Sequence, residues 1–403
     1  LRKEHGLRHT GAVRIALVHY TSLPVIGGVE VVLAAHARLF AQAGHDVTVL
    51  AGKDTRPGDA TEAHAELAAG RAGAGFARAV EARIAVLRPI LAAQDVVMLH
   101  NVATMHFDLV LTAALWRLAE ELAEVRFICW VHDLAACNAD YAGLPMDREP
   151  WALLGRAHPR YEYVAVSELR RREFSALTGQ PPERCRTIPN GVETSQLLDL
   201  SPQAIALANE HRLFERDIVL AHPARLLRRK NVELTLRVIA ALKAAGHSSA
   251  ALITGPPEVQ SGGGMSYARE IRALHEELGL EDDVFFLNDS GPLGMRELRN
   301  MFQLADALFF PSWQEGFGIP LLEAALHRLP IFCSDIEPLR GLLARGVVTF
   351  PPAARPEEIA ALIAKVVARN DAAAARKQTL REYSWEAIHA NFLSPLLTQT
   401  DTH

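Results

Sequence analysis

The chain has 403 residues, 49% of them hydrophobic and 22% charged, with a formal net charge of −5 and a pI near 6.4. These are ordinary globular values for two domains or one large one, and they argue against a general nucleic-acid binder. No apolar run approaches the roughly 18 residues that a membrane span needs.

The opening stretch LRKEHGLRHTGAVRIALVHY is basic, but its apolar segment is short, contains Arg14 and lacks a cleavage pattern. It reads as a tail feeding a first strand, VRIALVHY, rather than as a signal peptide. A loop with Gly27-Gly28 follows, then VEVVLAAHARLFAQAG, whose apolar positions recur at helical spacing up to Gly44. HDVTVLAG is the second strand. The Ala-rich stretch from Thr61 to Gln94 is expected to be mostly helical, with a break between Gly70 and Gly75. DVVMLH, VRFICWVH and YEYVAVS are further buried strands with helical segments between them.

The pattern then restarts with DIVLAHPARLLRRKNVELTLRVIAALKAAG, again strand, loop, helix and glycine. AALITG, DVFFLND, ADALFFPS, LPIFCSD and VVTFPP are its next strands. Strands alternating with helices imply parallel sheets covered on both faces. The expected fold class is therefore α/β, two doubly wound domains covering residues 1–195 and 196–384. The seam is expected between Gly191 and Glu210, with a C-terminal helix over 385–403 packing back on the first domain. Cys129, Cys137, Cys185 and Cys333 form no C-x-x-C pair and read as reduced thiols.

In such sheets ligands sit at the carboxyl ends of strands. ADALFFPS is followed by QEGFGIPLLE, where Glu315 and Glu323 flank two glycines and a proline. Pro320 suits a first helical turn, and Gly316 and Gly318 suit close approach of backbone to a ligand. The helix start suits a phosphate. Glu323, expected in that first turn, either accepts hydrogen bonds from a ribose diol or complements the helix dipole. Glu315 either faces a reacting sugar or is a solvated loop residue.

These residues, taken with Gly27-Gly28-Val29-Glu30, His132-Asp133 in WVHDLAA, VAVSE, IPNGVE and PARLLRRKN, resemble the motifs of the family 4 glycosyltransferases in order and spacing. The resemblance runs along most of the chain. It implies the GT-B fold, two Rossmann-like domains facing a central cleft that closes on binding, the first on the acceptor side and the second holding the nucleotide sugar. It also implies a retaining hexosyltransferase that moves glucose or mannose from a UDP-, GDP- or ADP-hexose to a small-molecule, glycan or lipid-linked acceptor. Under this reading Glu315, His132, Arg225 and Lys230 are catalytic. The donor is held by Gly27, Gly28, Arg225, Lys230, Gly316, Phe317, Gly318, Ile319, Pro320, Leu321 and Glu323. A cytoplasmic protein is expected, with peripheral membrane association left open. The alternatives are a GT-B epimerase, a phosphorylase, or a non-catalytic sugar-nucleotide binder.

Each residue has a physical reason and a plainer alternative. Arg225 and Lys230 would stabilise the charge growing on a departing diphosphate, whereas Arg228 and Arg229 read as a solvated basic run. Gly27 and Gly28 would bring backbone N–H groups to phosphate or sugar, or form an ordinary turn. No G-x-G-x-x-G follows a strand, which counts against a dehydrogenase. His132 closes a strand, and in the resembled family this histidine contacts the transferred sugar. Asp133 is expected to fix its tautomer or bind acceptor hydroxyls. His100 and Asn101 are a weaker pair for the acceptor side, while Ser167 and Asn190 hold turns. His275-Glu276 lacks the second histidine of H-E-x-x-H, and no Asp-x-Asp loop stands out, so no metal or other cofactor is expected. Three features depart from the family: the usual glutamate is replaced near Gly341, the Gly-rich turn before the last strand is reduced to ARGVVTF, and the long stretch from Cys137 to Tyr161 carries Tyr141, Arg148 and Trp151, which are expected to shape an acceptor pocket. Base recognition is expected around Phe286 to Asp289.

Overall fold

The computed structural model describes residues 11–25, 27–52, 66–67, 70–255, 264–291 and 293–398. They divide into two compact units, residues 1–192 with 385–403, and residues 193–384. The seam falls three residues ahead of the expected one.

Unit 1 contains β1 (Arg14–Val18), α1 (Gly28–Gln42), β2 (Asp46–Leu50), α2 (Ala74–Leu91), β3 (Val96–His100), α3 (Leu109–Glu121), β4 (Arg126–Val131), β5 (Tyr161–Ala165), α4 (Glu168–Thr178) and β6 (Cys185–Thr187). The strands form one parallel sheet in the order β2-β1-β3-β4-β5-β6. Side chains alternate across a strand. Ala16 and Val18 therefore join the core beneath α2 and α3, while Ile15 and Leu17 face α1 and the C-terminal segment. That is why β1 and β3 read as unbroken apolar runs. Helix α1 buries Val32, Leu33, His36, Leu39 and Phe40, one stripe at helical spacing.

The C-terminal segment lies on unit 1: Trp385, Ile388, Leu393 and Leu396 enter the α1 face of the core. The N–H of Trp385 donates to the carbonyl of Val192 at 3.2 Å. Within the expected helical stretch Thr61–Gln94, the described part is a continuous helix only from Ala74; residues 61–65 and 68–69 lie outside the described residues.

The stretch from Cys137 to Tyr161 does not build the acceptor pocket expected of it through Trp151. It folds into short 3-10 turns, and Trp151 and Leu154 are buried in the unit 1 core. Tyr141 packs edge-on against Phe107 and His106. Of the three residues singled out there, Arg148 stays exposed.

Unit 2 contains α5 (Pro202–Glu210), β7 (Ile218–His222), α6 (Val232–Ala244), β8 (Ser249–Ile253), α7 (Gly264–Glu277), β9 (Val284–Phe286), α8 (Met295–Leu304), β10 (Ala307–Phe310), α9 (Ile319–Leu326), β11 (Ile331–Ser334), β12 (Val347–Phe350), α10 (Pro356–Val367) and α11 (Asp371–Glu382). Its parallel sheet runs β12-β11-β10-β7-β8-β9. Ile218 and Leu220 face α6, α7 and α10, and Val219 and Ala221 face α5, α8 and α9. Cys129, Cys185 and Cys333 are buried free thiols and Cys137 is exposed. No described helix is long and apolar enough to cross a membrane.

A Cβ built on Gly191 would lie 2.6 Å from Cδ2 and Cε3 of Trp385. Gly191→Ala is expected to lower stability by about 1–3 kcal/mol through overpacking, read from urea unfolding. An unchanged midpoint would show that the C-terminal segment does not dock there.

Candidate functional site

In unit 2 the strand order reverses between β7 and β10, which pair directly through Ala307–Leu220 and Leu308–Ala221. A crevice opens at the carboxyl ends of strands where such an order reverses. The loop after β7 carries Arg225, Arg229 and Lys230; the loop after β10 carries Glu315. Lys230 Nζ donates to Glu315 Oε1, and Ser312 Oγ donates to the same oxygen at 2.6 Å. Arg229 Nη1 lies 3.7 Å from Oε2. The two loops are tied by the Trp313 N–H, which donates to the Arg229 carbonyl at 2.8 Å. Side-chain exposure is 14% for Lys230 and 8% for Glu315, so this ion pair is largely desolvated. Lys230 Nζ also sits 5.1 Å above the Phe310 ring.

Arg225, by contrast, is exposed, and its guanidinium has no partner among the described residues. In the loop after β10, the backbone N–H groups of Gly316, Phe317, Gly318 and Ile319 also lack acceptors among the described residues. A free cation and a row of open N–H donors lie on the same two loops as the Lys230–Glu315 pair. Such an arrangement suits an anion. Phe317 and Ile319 are exposed and give this loop apolar edges.

Several expectations change here. Glu323 is the fifth residue of α9, one turn inside the helix rather than in its first turn. Leu321 offers nothing to a ligand: its side chain is fully buried and its N–H is taken by the Gly318 carbonyl at 3.0 Å. Gly318 has φ +103, and a Cβ there would lie 2.5 Å from Leu339 Cδ2, so packing and backbone demand this glycine rather than a ligand. A Cβ on Gly316 would meet nothing within 4 Å, which leaves that backbone open. Pro320 stands in the first turn as expected. Arg228 and Arg229 are not a free solvated run. Arg228 holds both Glu270 oxygens at 2.6 Å and lies over Tyr267, and Arg229 joins Glu315. Asp289, in the stretch expected to read the base, is paired with Arg272 at 2.6 Å, whose guanidinium lies 3.9 Å over Phe286. A separate cavity of about 190 Å³ between α5 and α8 includes none of the residues of this ion-pair cluster.

In unit 1 the strands β1, β3 and β4 lie side by side, and each ends at or just before a histidine: His19, His100 and His132. His100 Nδ1 and His132 Nε2 share a hydrogen bond at 3.1 Å. His100 is fully buried, stacked between Trp130 and His132, so it positions His132 instead of facing an acceptor as expected. Asn101 has φ +60, and its Oδ1 accepts the N–H groups of His132 at 2.9 Å and Asp133 at 3.0 Å. Asp133 does not set the His132 tautomer. Its carboxylate takes the Leu134 N–H at 2.8 Å and pairs with Arg170 at 3.1 Å. Ser167 caps α4 by accepting from the Arg170 N–H at 3.3 Å.

Burial pushes the imidazoles of His36 and His132 down to about 3, and that of His222, which also feels Lys230, to about 3. His100 is lowered well below its ordinary value by burial and its histidine neighbours. These rings are neutral at pH 7. A neutral His132 offers hydrogen bonds and is a poor base.

Gly27 caps α1 and Gly28 opens it. The Glu30 carboxylate folds back beside Gly27: a Cβ there would be 2.3 Å from Glu30 Oε2, whereas one on Gly28 would meet nothing within 4 Å. Sequence reasoning passes over His19, Ser312 and Arg229 as site residues. The repeated strand-end histidine is a signal for the first; the other two carry none.

Residues 26–196 match the model described as Glycosyltransferase Family 4, and residues 205–383 match that described as Glycosyl transferases group 1. Over 90 residues, 22% of this chain and 25% of the relative, the chain is 34% identical to the O-antigen chain mannosyltransferase RfbU of Salmonella typhimurium. It is 28% identical over 234 residues, 55% of this chain and 51% of the relative, to the D-inositol 3-phosphate glycosyltransferase of Saccharomonospora viridis. The chain thus spans about half the length, or less, of these relatives. Among solved structures, HepE of Anabaena with UDP-glucose aligns over 96% of this chain and 100% of its own at 16% identity and a TM-score of 0.36.

Lys230→Met leaves the Glu315 carboxylate buried without its main counter-ion and is expected to cost about 3–5 kcal/mol. Adding Glu315→Gln should recover most of that loss in a double-mutant cycle by urea unfolding; additive losses would remove the coupling. A second expectation concerns acid. The folded-state values of His36, His132 and His222, about 3, lie below the unfolded 6.5, so the unfolded chain binds protons first. Their stabilisation is complete above pH 6.5 and is lost as pH falls toward 3. Unfolding near pH 5 should be accompanied by uptake of about three protons from solvent onto these groups, each worth up to ~1.4 kcal/mol per pH unit. A flat stability profile between pH 6.5 and 5 would contradict it.

Proposed function

We infer the reaction from one premise: the chain belongs to the family 4 glycosyltransferases. It moves a hexose, glucose or mannose, from a nucleoside diphosphate sugar to an acceptor hydroxyl, with retention at the anomeric carbon and without a metal ion. One relative is named a mannosyltransferase and another a glycosyltransferase of inositol 3-phosphate, and both names fit hexosyl transfer.

The observation that carries the donor half is the Lys230–Glu315 pair at the β7/β10 reversal, with the unpaired Arg225 and the open N–H groups of residues 316–319 beside it. As the glycosidic C–O bond breaks, negative charge grows on the leaving phosphate. Fixed cations and N–H dipoles stabilise that state more than the ground state. Lys230 has three N–H donors and spends one on Glu315, which leaves others for phosphate oxygen. In this reading Lys230, Arg225 and the N–H groups take the part that a divalent ion would otherwise play.

Glu315 Oε1 already accepts from both Lys230 and Ser312, so it is held as a hydrogen-bond acceptor for sugar hydroxyls rather than freed as a nucleophile. Retention then follows a front-face course. The acceptor O–C bond forms as the C–O bond to phosphate breaks, and the acceptor proton passes to the leaving phosphate oxygen. Glu323, further along α9, is the candidate for the nucleoside ribose.

A panel of UDP-, GDP- and ADP-hexoses tests this. One of them should raise the thermal midpoint and be turned over in the presence of EDTA. Arg225→Ala should lower turnover by roughly a hundred- to a thousand-fold. Glu315→Gln should keep nucleotide affinity and lose turnover, and Glu323→Ala should weaken nucleotide binding. Parent-like turnover in the Arg225 and Glu315 variants would remove these assignments, and EDTA-abolished activity would overturn metal independence.

A further inference from the structure

We propose that Arg328, Arg345 and Arg369 form a binding site for a phosphate monoester at the end of the unit 2 sheet opposite the donor loops. The proposal does not depend on the glycosyl-transfer reading.

The donor loops follow the carboxyl ends of β7 and β10. At the other end of the same sheet, Ile331 and Val347 begin β11 and β12. A cavity of about 690 Å³ opens there, lined by residues at the end of α9 and on the link from α10 to α11. That volume falls in the range of small-molecule sites, roughly 300–1,000 Å³. Arg328, Arg345 and Arg369 reach it from three separate connections. None of their guanidinium groups has an ion-pair or hydrogen-bond partner among the described residues. Asp371 is the acidic side chain on the cavity wall, and it too is in no ion pair among the described residues. Three arginines against one aspartate leave a charge of +2.

An arginine just past a helix end has a plainer role, since it can cap the last carbonyls and complement the dipole. Those carbonyls are already taken. Glu323, Ala324 and Ala325 accept from the N–H groups of His327, Leu329 and Arg328, and Ala364, Val366 and Val367 accept from those of Ala368, Arg369 and Asn370. Arg345 stands on the connection from β11 to β12 and ends no helix. The backbone at Arg328 is a second sign. The Leu329 N–H bonds to the Ala324 carbonyl at 3.0 Å and the Arg328 N–H to the Ala325 carbonyl at 2.9 Å, the two bonds of a Schellman turn. Arg328 fills the left-handed position of that turn, with φ +59, where glycine is the favoured residue. The turn gains nothing from a long charged side chain; the gain is a guanidinium on the cavity wall.

Guanidinium groups bind phosphate through paired N–H donors. A phosphate monoester carries about −1.5 to −2 at pH 7, which matches the charge of the wall, whereas a diester carries about −1. Leu329, Pro330, Val347 and Val366 line the rest of the cavity and suit the neutral body of such a ligand.

Calorimetric titration of the whole chain with glycerol 3-phosphate, at constant ionic strength, tests the site. The parent should bind it, and should bind dimethyl phosphate about tenfold or more weakly. Arg328→Gly should lower the affinity for glycerol 3-phosphate about tenfold or more, while its urea midpoint holds or rises because glycine suits the turn. The double variant Arg345→Gln, Arg369→Gln should lose at least as much affinity. Arg225→Ala should keep the parent's affinity, since the donor loops are elsewhere in the unit. Phosphatidylcholine vesicles carrying phosphatidic acid separate a lipid headgroup from a soluble monoester. Binding to either probe supports the site where Arg328→Gly removes it. A parent that binds neither probe, equal affinity for dimethyl phosphate, a loss confined to Arg225→Ala, undiminished binding in the Arg328 or the double variant, or an Arg328→Gly variant that loses stability and affinity together would each overturn the proposal.

Discussion

A lysine and a glutamate 85 residues apart in sequence meet because β7 and β10 are neighbours in the second sheet. This ion pair is the contact on which the rest of the proposed donor site depends. Two charges with so little exposure are costly to desolvate, and the pair holds only because its surroundings are fixed. Ser312 supplies a further hydrogen bond, and the Trp313–Arg229 backbone link fastens one loop to the other. With Glu315 balanced by Lys230, Arg225 is left as a cation without a partner among the described residues, available to an incoming anion.

Unit 1 solves a different problem by the same architectural device. Its sheet also reverses order, between β1 and β3, and its strand ends carry histidines instead of cations. Burial keeps these rings uncharged, and Asn101 holds the turn that presents His132. The two strand-end environments therefore differ in kind. One is rich in positive charge and open N–H groups, as a diphosphate requires. The other offers neutral ring nitrogen atoms.

Much of this is legible in the chain itself. Unbroken apolar runs such as IVLAH and VVMLH mark strands covered on both faces, and the alternation with helices yields parallel sheets. Arg225, Lys230, Glu315 and His132 all fall at carboxyl ends of strands, as their positions after such runs require. The departures are equally physical. Pro320 suggests a later helix start and so puts Glu323 in the first turn, yet the helix begins at Ile319 with Gly318 as its cap. The place of Leu321 in a motif suggests a ligand contact, whereas its side chain fills the core. Trp151 looks like a pocket residue and is a core residue for the same reason: a large apolar ring in a long loop can find more buried area inside than at a rim.

Local sequence determined the elements, their order and the residue types at each strand end, because hydrophobic period and turn chemistry act over a few residues. Only the tertiary structure decided which of those strand ends became neighbours, and hence who pairs with whom: Lys230 with Glu315, Asp133 with Arg170 instead of His132, His19 with the His100 carbonyl and Glu30. Ion pairs and hydrogen bonds depend on distances of a few ångströms across strands far apart in the chain. Spacing along the sequence does not encode those distances; sheet order and side-chain burial do.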